Sequence, residues 1–187
     1  MQTVIEEKKT YTYEDYLKTP DDKRYELIEG DLIMTPSPKP YHQSISENIA
    51  FEIGKFVREK KSEKVFHSPC DVYFDDAKVL QPDILFISKD RLGIIGEKNI
   101  QGAPDLVIEI LSESTAYRNL VKKKKIYSKF GVKEYWVVDP EEKTIEMYTL
   151  KDMVFVLAGS FSKNEILKSA LLEGFTMNLE IVFAKNF

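Results

Sequence analysis

Two acidic residues and one lysine occupy positions where side chains of their type are costly unless something answers them. Asp83 follows Pro82 in "LQPDILFIS" and opens an apolar, β-type run. Glu109 sits inside "GAPDLVIEILSEST", in an otherwise apolar segment. Alternation along an extended strand puts Asp105, Val107 and Glu109 on one face and Leu106, Ile108 and Ile110 on the other. Both faces are apolar apart from the acids, so the strand is expected to be central and covered on both sides. A carboxylate in such a place needs a cation, a network of hydrogen bonds or a raised pKa. Asp105 and Glu109 lie about 13 Å apart on a straight strand, too far to share one ion. Asp83, on a neighbouring strand, is the better companion for Glu109, and Asp105 is assigned a structural place at the strand entrance. Hard oxygen donors of this kind suit Mg²⁺ or Mn²⁺, with water in the remaining positions. A turn aspartate after proline and a satisfied structural ion pair are the plain alternatives for the two acids.

The lysine comes from "NLVKKKKIYSKFGV". At about 100° per residue, with Leu120 at zero, Ala116, Ile126, Tyr127 and Phe130 define an apolar face centred near ~300°. Lys122, Lys124 and Lys125 fall at its edges or outside it, as a solvated charge run would. Lys123 falls in the middle. A buried ammonium must snorkel to water or meet an anion, so Lys123 is expected to seek a carboxylate.

The elements that must position these groups follow from the pattern. "TYEDYLKTP" reads as a short helix capped by Thr12, with Pro20 past its end. "RYELIEGDLIMT" reads as a hairpin turning at Glu29-Gly30-Asp31. "PSPKP" is a rigid loop. From about His42 to Lys60 a helix buries Ile45, Ile49, Ile53 and Phe56. "KVFHSPCDVYFDD", "VLQPDILFIS" and "DLVIEIL" read as strands. A second helix spans about Thr115–Phe130, with Gly131 placed to cap it. "EYWVVDP" is β-rich, "TIEMYTL" and "DMVFVLA" form a closing hairpin, and "ILKSALLEGFTMNLEIVF" is ambiguous between helix and strand. This order predicts an α/β fold, a mixed central sheet flanked by helices. The 187 residues fit one domain over 1–187, with a core of about 12–150 and a C-terminal extension over 151–187.

Composition narrows the classes. Hydrophobic residues make up 43% and charged residues 31%, which supports a sizeable core and argues against global disorder. A net charge of −4 argues against a nucleic-acid coat protein but permits a local basic cleft. One cysteine, Cys70, and two histidines, His42 and His67, exclude a disulfide framework within the chain and a Cys- or His-rich metal site. The first residues carry no apolar leader segment, and no run approaches the ~18 apolar residues of a membrane span. A soluble cytoplasmic protein, with no membrane partner, is the expectation.

Five blocks, in order, resemble the Uma-two family of restriction-endonuclease-like proteins, within the PD-(D/E)XK nuclease superfamily: "TYEDYL", "RYELIEGDLIMTPSPKPYHQSIS", "QPDILFIS", "GAPDLVIEILSEST" and "KKKKIYSKFGVKEYWVVDP". The resemblance spans about Thr12–Leu150. It implies a metal-dependent endonuclease acting on nucleic acid, DNA in the first instance, with Asp83 and Glu109 as metal ligands and Mg²⁺ or Mn²⁺ as cofactor. The Ile110 carbonyl is a candidate third ligand. The superfamily pattern places its lysine two residues after the second acid, where this chain has Leu111. The chain is similar to versions in which the following helix supplies the lysine, and the spacing to Tyr127 makes that residue Lys123. The family's aspartate four positions earlier is here Asn119. Glu26 and His42 match further polar positions and are expected to line the cleft, against plain readings as a strand acid and a helix-start residue. Lys122, Lys124 and Lys125 are expected to touch the nucleic-acid backbone. Cutting two strands with one centre per chain calls for two chains, so a homodimer is the expected assembly. The rival is a catalytically silent binding module on the same fold. A third reading is a metal-dependent enzyme for a smaller phosphate ester.

Overall fold

The structure is a computed structural model that describes residues 9–60, 63–112 and 116–185, with all their side chains except those of 60 and 116–119. Thr115 and the side chains of Ala116 and Asn119 lie outside the described residues.

In chain order, α1 (Tyr13–Tyr16) precedes the hairpin of β1 (Arg24–Ile28) and β2 (Asp31–Thr35), followed by the long α2 (Pro40–Lys60). β3 (Lys64–His67), β4 (Val72–Asp75), β5 (Lys78–Leu80) and β6 (Ile84–Ile87) come next, then a 3-10 turn at Lys89–Ile94 and β7 (Ile100–Gln101). β8 (Leu106–Ile110), α3 (Ala116–Phe130), β9 (Glu134–Asp139), β10 (Thr144–Lys151) and β11 (Val154–Ser162) follow. β12 (Ile166–Lys168), β13 (Thr176–Asn178) and α4 (Leu179–Val182) end the described chain.

The mixed α/β class stands, with the strands shared between two main sheets. One has six strands in the order β11-β10-β9-β8-β6-β3, the other five in the order β2-β1-β5-β4-β7, and β12 pairs with β13 apart from both. β8 runs parallel to β9, joined by α3, and antiparallel to β6. It is therefore interior, as its two-sided apolar pattern requires.

Two runs that read as single strands each cross between the sheets. "KVFHSPCDVYFDD" breaks at Ser68-Pro69 into β3 and β4, and "VLQPDILFIS" breaks at Gln81-Pro82-Asp83 into β5 and β6. Proline has no N–H for a ladder, and each break carries the chain from one sheet to the other. The second crossing leaves Asp83 just ahead of β6, between the sheets.

Local turn chemistry explains the hairpins. Glu29 and Gly30 both take positive φ (52° and 79°), the geometry of a two-residue hairpin turn. A Cβ on Gly30 would strike the Thr10 methyl. Gly131 (φ +88°) ends α3, where the Val132 N–H reaches back to the Tyr127 carbonyl at 3.0 Å.

The six-stranded sheet separates two cores. On one side α2 places Ile45, Ile49 and Ile53, all fully buried, against Phe86, Ile108, Trp136 and Val138. Residues after 150 join this layer through Leu167, Phe175, Met177 and Leu179. On the other side α3 places Ile126 and Tyr127 against Leu85, Val107, Tyr135 and Val137. Glu109 alternates with Ile108 and Ile110 and so points with Val107 toward α3.

Candidate active site

The site lies where the crossing at Asp83, the end of β8, the hairpin strand β1 and α3 converge. All five expected residues, Glu26, His42, Asp83, Glu109 and Lys123, line one cleft of about 1430 Å³. Glu26, Glu109 and Lys123 are 2%, 7% and 9% exposed, so each is nearly out of water and needs its partners.

Those partners are present. The Lys123 ammonium lies 3.1 and 3.2 Å from the two Glu109 oxygens and 2.8 Å from Glu26 Oε1. An ammonium has three donors, and these three oxygens account for them. Glu26 Oε1 also accepts from the Gln81 backbone N–H at 2.8 Å. The Tyr127 hydroxyl donates to Glu109 Oε1 at 2.5 Å. Asp83 Oδ2 accepts from the Ile110 N–H at 2.8 Å, which ties the crossing loop to the end of β8. His42, on the first turn of α2, donates Nε2–H to the Ile110 carbonyl at 3.2 Å and stands 3.5 Å from Asp83 Oδ2.

The charges do not cancel. Three carboxylates face one ammonium. Burial raises the Glu109 carboxyl, Lys123 pulls it down, and the charges of Glu26 and Asp83 push it up again, leaving it at about 7. For Lys123, burial favours the neutral amine, but Glu109 and Glu26 outweigh it and hold the proton more firmly than on an ordinary lysine. Burial, then the charge of Glu109, keep the Tyr127 hydroxyl protonated well beyond the usual phenol range. His42 loses basicity to burial and more than regains it from Asp83 and the Ile110 carbonyl.

A divalent cation fits this donor set on chemical grounds. The oxygens are hard carboxylates, and the pocket holds unbalanced negative charge. Among the described residues no three His, Cys, Asp or Glu side chains form a ready metal cage. The set would be Asp83, Glu109, a main-chain carbonyl and water, which suits Mg²⁺, an ion that retains several waters.

Two participants escaped the sequence reading. Tyr127 served there as part of the apolar helix face and as a spacing landmark, with no polar role, although its place one turn after Lys123 puts both side chains on one face. Gln81, beside Pro82, supplies its N–H to Glu26 and its side chain to Arg24 and Asp71. No local signal marked that role, because it depends on the crossing between sheets. The three flanking lysines are not part of the cleft lining. Lys122 pairs with Asp31 at 3.2 Å, Lys124 sits 3.2 Å from the centre of the Tyr148 ring, and Lys125 is exposed. Asp105 is structural, as expected: its carboxylate meets Lys133 at 2.7 Å and Arg91 at 3.8 Å, and accepts from the Ser88 N–H and hydroxyl.

Acids at the ends of adjacent strands, met by a helix-borne lysine on a mixed α/β frame, place the molecule in the restriction-endonuclease-like class of folds. Residues 12–180 match the Uma2 family, described as "Putative restriction endonuclease", and the chain belongs to that family. No curated protein matches. Five chains of solved structure match. One is a crystal structure described as a putative nuclease belonging to DUF820, from Anabaena variabilis ATCC 29413. It superposes with a TM-score of 0.77 at 23% identity, over 92% of this chain and 97% of that one. At that identity the likeness establishes the fold. No helix among the described residues is long and apolar enough to cross a membrane.

Proposed function

We propose that this protein is a metal-dependent endonuclease that hydrolyses phosphodiester bonds of nucleic acid, DNA foremost, with Asp83, Glu109 and Lys123 as its catalytic residues. The observation that carries the reading is the buried Lys123 ammonium, held by a later helix within 3.2 Å of both oxygens of Glu109. Asp83 and Glu109, with the Ile110 carbonyl, would hold Mg²⁺ or Mn²⁺. When bound, such an ion supplies Lewis acidity toward a phosphate and makes water a stronger acid. Lys123 keeps its positive charge at every working pH and faces the place where charge grows on the phosphate. Glu26 and Tyr127 fix the ammonium and the Glu109 carboxylate. His42 fixes the Ile110 carbonyl beside Asp83.

One observation favours the rival, a silent binding module. All three donors of Lys123 are already spent on carboxylates, as in a purely structural ion cluster. Supercoiled plasmid and single-stranded DNA incubated with Mg²⁺ or Mn²⁺ separate the two. The nuclease reading expects nicking that is lost alike in Asp83→Ala, Glu109→Ala and Lys123→Ala. No cleavage with either ion, and nucleic-acid binding indifferent to those changes, would mark the silent module.

A further inference from the structure

The cleft has features that the acid–lysine centre does not use. α2 forms one wall, and on it Phe51 lines the cavity while 64% exposed. A single exposed ring is ordinary in itself; its place on the wall of the cleft is what puts Phe51 within reach of an occupant. Phe51 lies nine residues beyond His42, about 14 Å along the helix axis, so it stands apart from the acids. The Lys55 ammonium is 5.9 Å from its ring centre. Nearer the helix start, Tyr41 also lines the cleft, with the Lys185 ammonium 4.9 Å from its ring centre. Its hydroxyl is anchored on the Phe183 carbonyl at 3.2 Å. Rings on a cleft wall with cations beside them are the elements of a base-stacking platform.

The charges of the walls point the same way. Arg24, Lys39, Lys143 and Lys185 line the cleft, but so do Glu47, Asp139 and Glu141, besides the three carboxylates and one ammonium of the centre itself. Arg24 is moreover bonded to Gln81 and Ser68. Duplex binding depends chiefly on Lys and Arg neutralising phosphates on two backbones. A cleft whose five cations stand against six carboxylates offers little of that. Stacking on a ring needs no excess charge, but it does need a base free of its partner strand.

We infer that the cleft takes an unpaired strand, with one base stacked on Phe51 while a phosphate further along the strand lies at the acid–lysine centre. The inference rests on the nuclease reading of that centre. An unpaired strand needs one centre only, so the pairing of two chains expected for duplex cleavage is not required.

Fluorescence anisotropy with a labelled DNA oligonucleotide tests it, with the oligonucleotide single-stranded or annealed to its complement. Ca²⁺ replaces Mg²⁺, and the oligonucleotide is checked for integrity afterwards. The single strand should bind more tightly than the duplex. Phe51→Ala should weaken single-strand binding by about 10-fold or more at an unchanged melting temperature, and Phe51→Trp should retain it. Tighter binding of the duplex, or Phe51→Ala binding like wild type, overturns the inference and leaves the nuclease reading intact. Binding as expected with no cleavage of plasmid or single-stranded DNA in Mg²⁺ or Mn²⁺ overturns the nuclease reading and leaves a cleft that only binds an unpaired strand. No binding of either oligonucleotide overturns both.

Discussion

Two buried acids four residues apart, Asp105 just ahead of β8 and Glu109 within it, have surroundings built in opposite ways. Asp105, at the strand entrance, is fully buried yet surrounded by donors: Lys133 and Arg91 reach it from outside, and Ser88 gives it two hydrogen bonds. Burial raises its pKa, but Lys133 and Ser88 outweigh that and leave it below the usual carboxylate range. Glu109, at the strand end, shares one ammonium with Glu26, stands near Asp83, and is pushed up to about 7. The first acid is closed by its neighbours. The second is left wanting positive charge, in a cleft open to solvent. Under the proposed function, that shortfall is the room left for a divalent cation.

Removing cations should break this contrast most visibly. Lys123→Met leaves Glu109 and Glu26 buried with no counter-charge, at a cost of about 3–5 kcal/mol at pH 8. Below pH 6 the cost should shrink, because Glu109 can take up a proton. Asp105→Asn should cost less, about 1.5–3 kcal/mol, since Lys133 is 52% exposed and can turn to water. Urea denaturation of both variants at pH 8 reads this directly. If Asp105→Asn proves the more damaging, the two ends of β8 do not differ in the sense argued.

Much of this was legible in the sequence wherever the signal was local. Lys123 stood out because helical periodicity is strict, and Glu109 because a charge breaks an apolar strand. The first hairpin was visible in its turn and the second only in its two runs: Asp152 and Met153, read as the start of a strand, form the turn with positive φ (47° and 61°). What stayed hidden depends on distant pairings. Nothing near Gln81-Pro82-Asp83 says that the chain changes sheets there, although Pro82 was a hint that a ladder ends. Nothing near Glu26 says that β1 will meet α3. The wheel placed Lys122 and Lys124 outward but could not say that Asp31 and Tyr148 lie outside waiting for them. The tail resisted assignment because β12 and β13 pair only with each other, so its pattern answers to the α2 core more than to either main sheet.

The opposite pKa shifts give the contrast a pH signature. A carboxyl raised from 4.5 to about 7 in the folded state binds its proton more tightly folded than unfolded. It therefore favours folding below the ordinary carboxylate range, and this contribution is lost as pH rises through about 7. Asp105, lowered from 3.8, contributes above that value and loses its contribution as pH falls through the depressed one. Glu109→Gln removes only the first of these. Relative to wild type it should gain stability between pH 5 and pH 8, by on the order of 1 kcal/mol. Protons compete with cations for Glu109, so Mg²⁺-induced thermal stabilisation of the wild type should grow over the same range and be absent from the variant. A Glu109→Gln advantage that shrinks with rising pH would contradict the assignment of the raised pKa to this residue.

The smallest change sharpens the comparison further. Tyr127→Phe deletes one oxygen and keeps a ring that packs against Phe74 and Tyr135, at centroid distances of 5.8 and 5.5 Å. The lost bond is short and charge-assisted, the kind that is stronger toward a carboxylate than toward a neutral acid. Its loss should cost about 1–2 kcal/mol at pH 8 and almost nothing below pH 6, where Glu109 is protonated. The hydroxyl also lowers the Glu109 pKa, so its removal should move the midpoint of the Mg²⁺ response to higher pH. A purely structural tyrosine would lower the melting temperature by the same amount at every pH and leave that midpoint in place. Asp105 has no counterpart to this behaviour, because its donors lie outside the cleft.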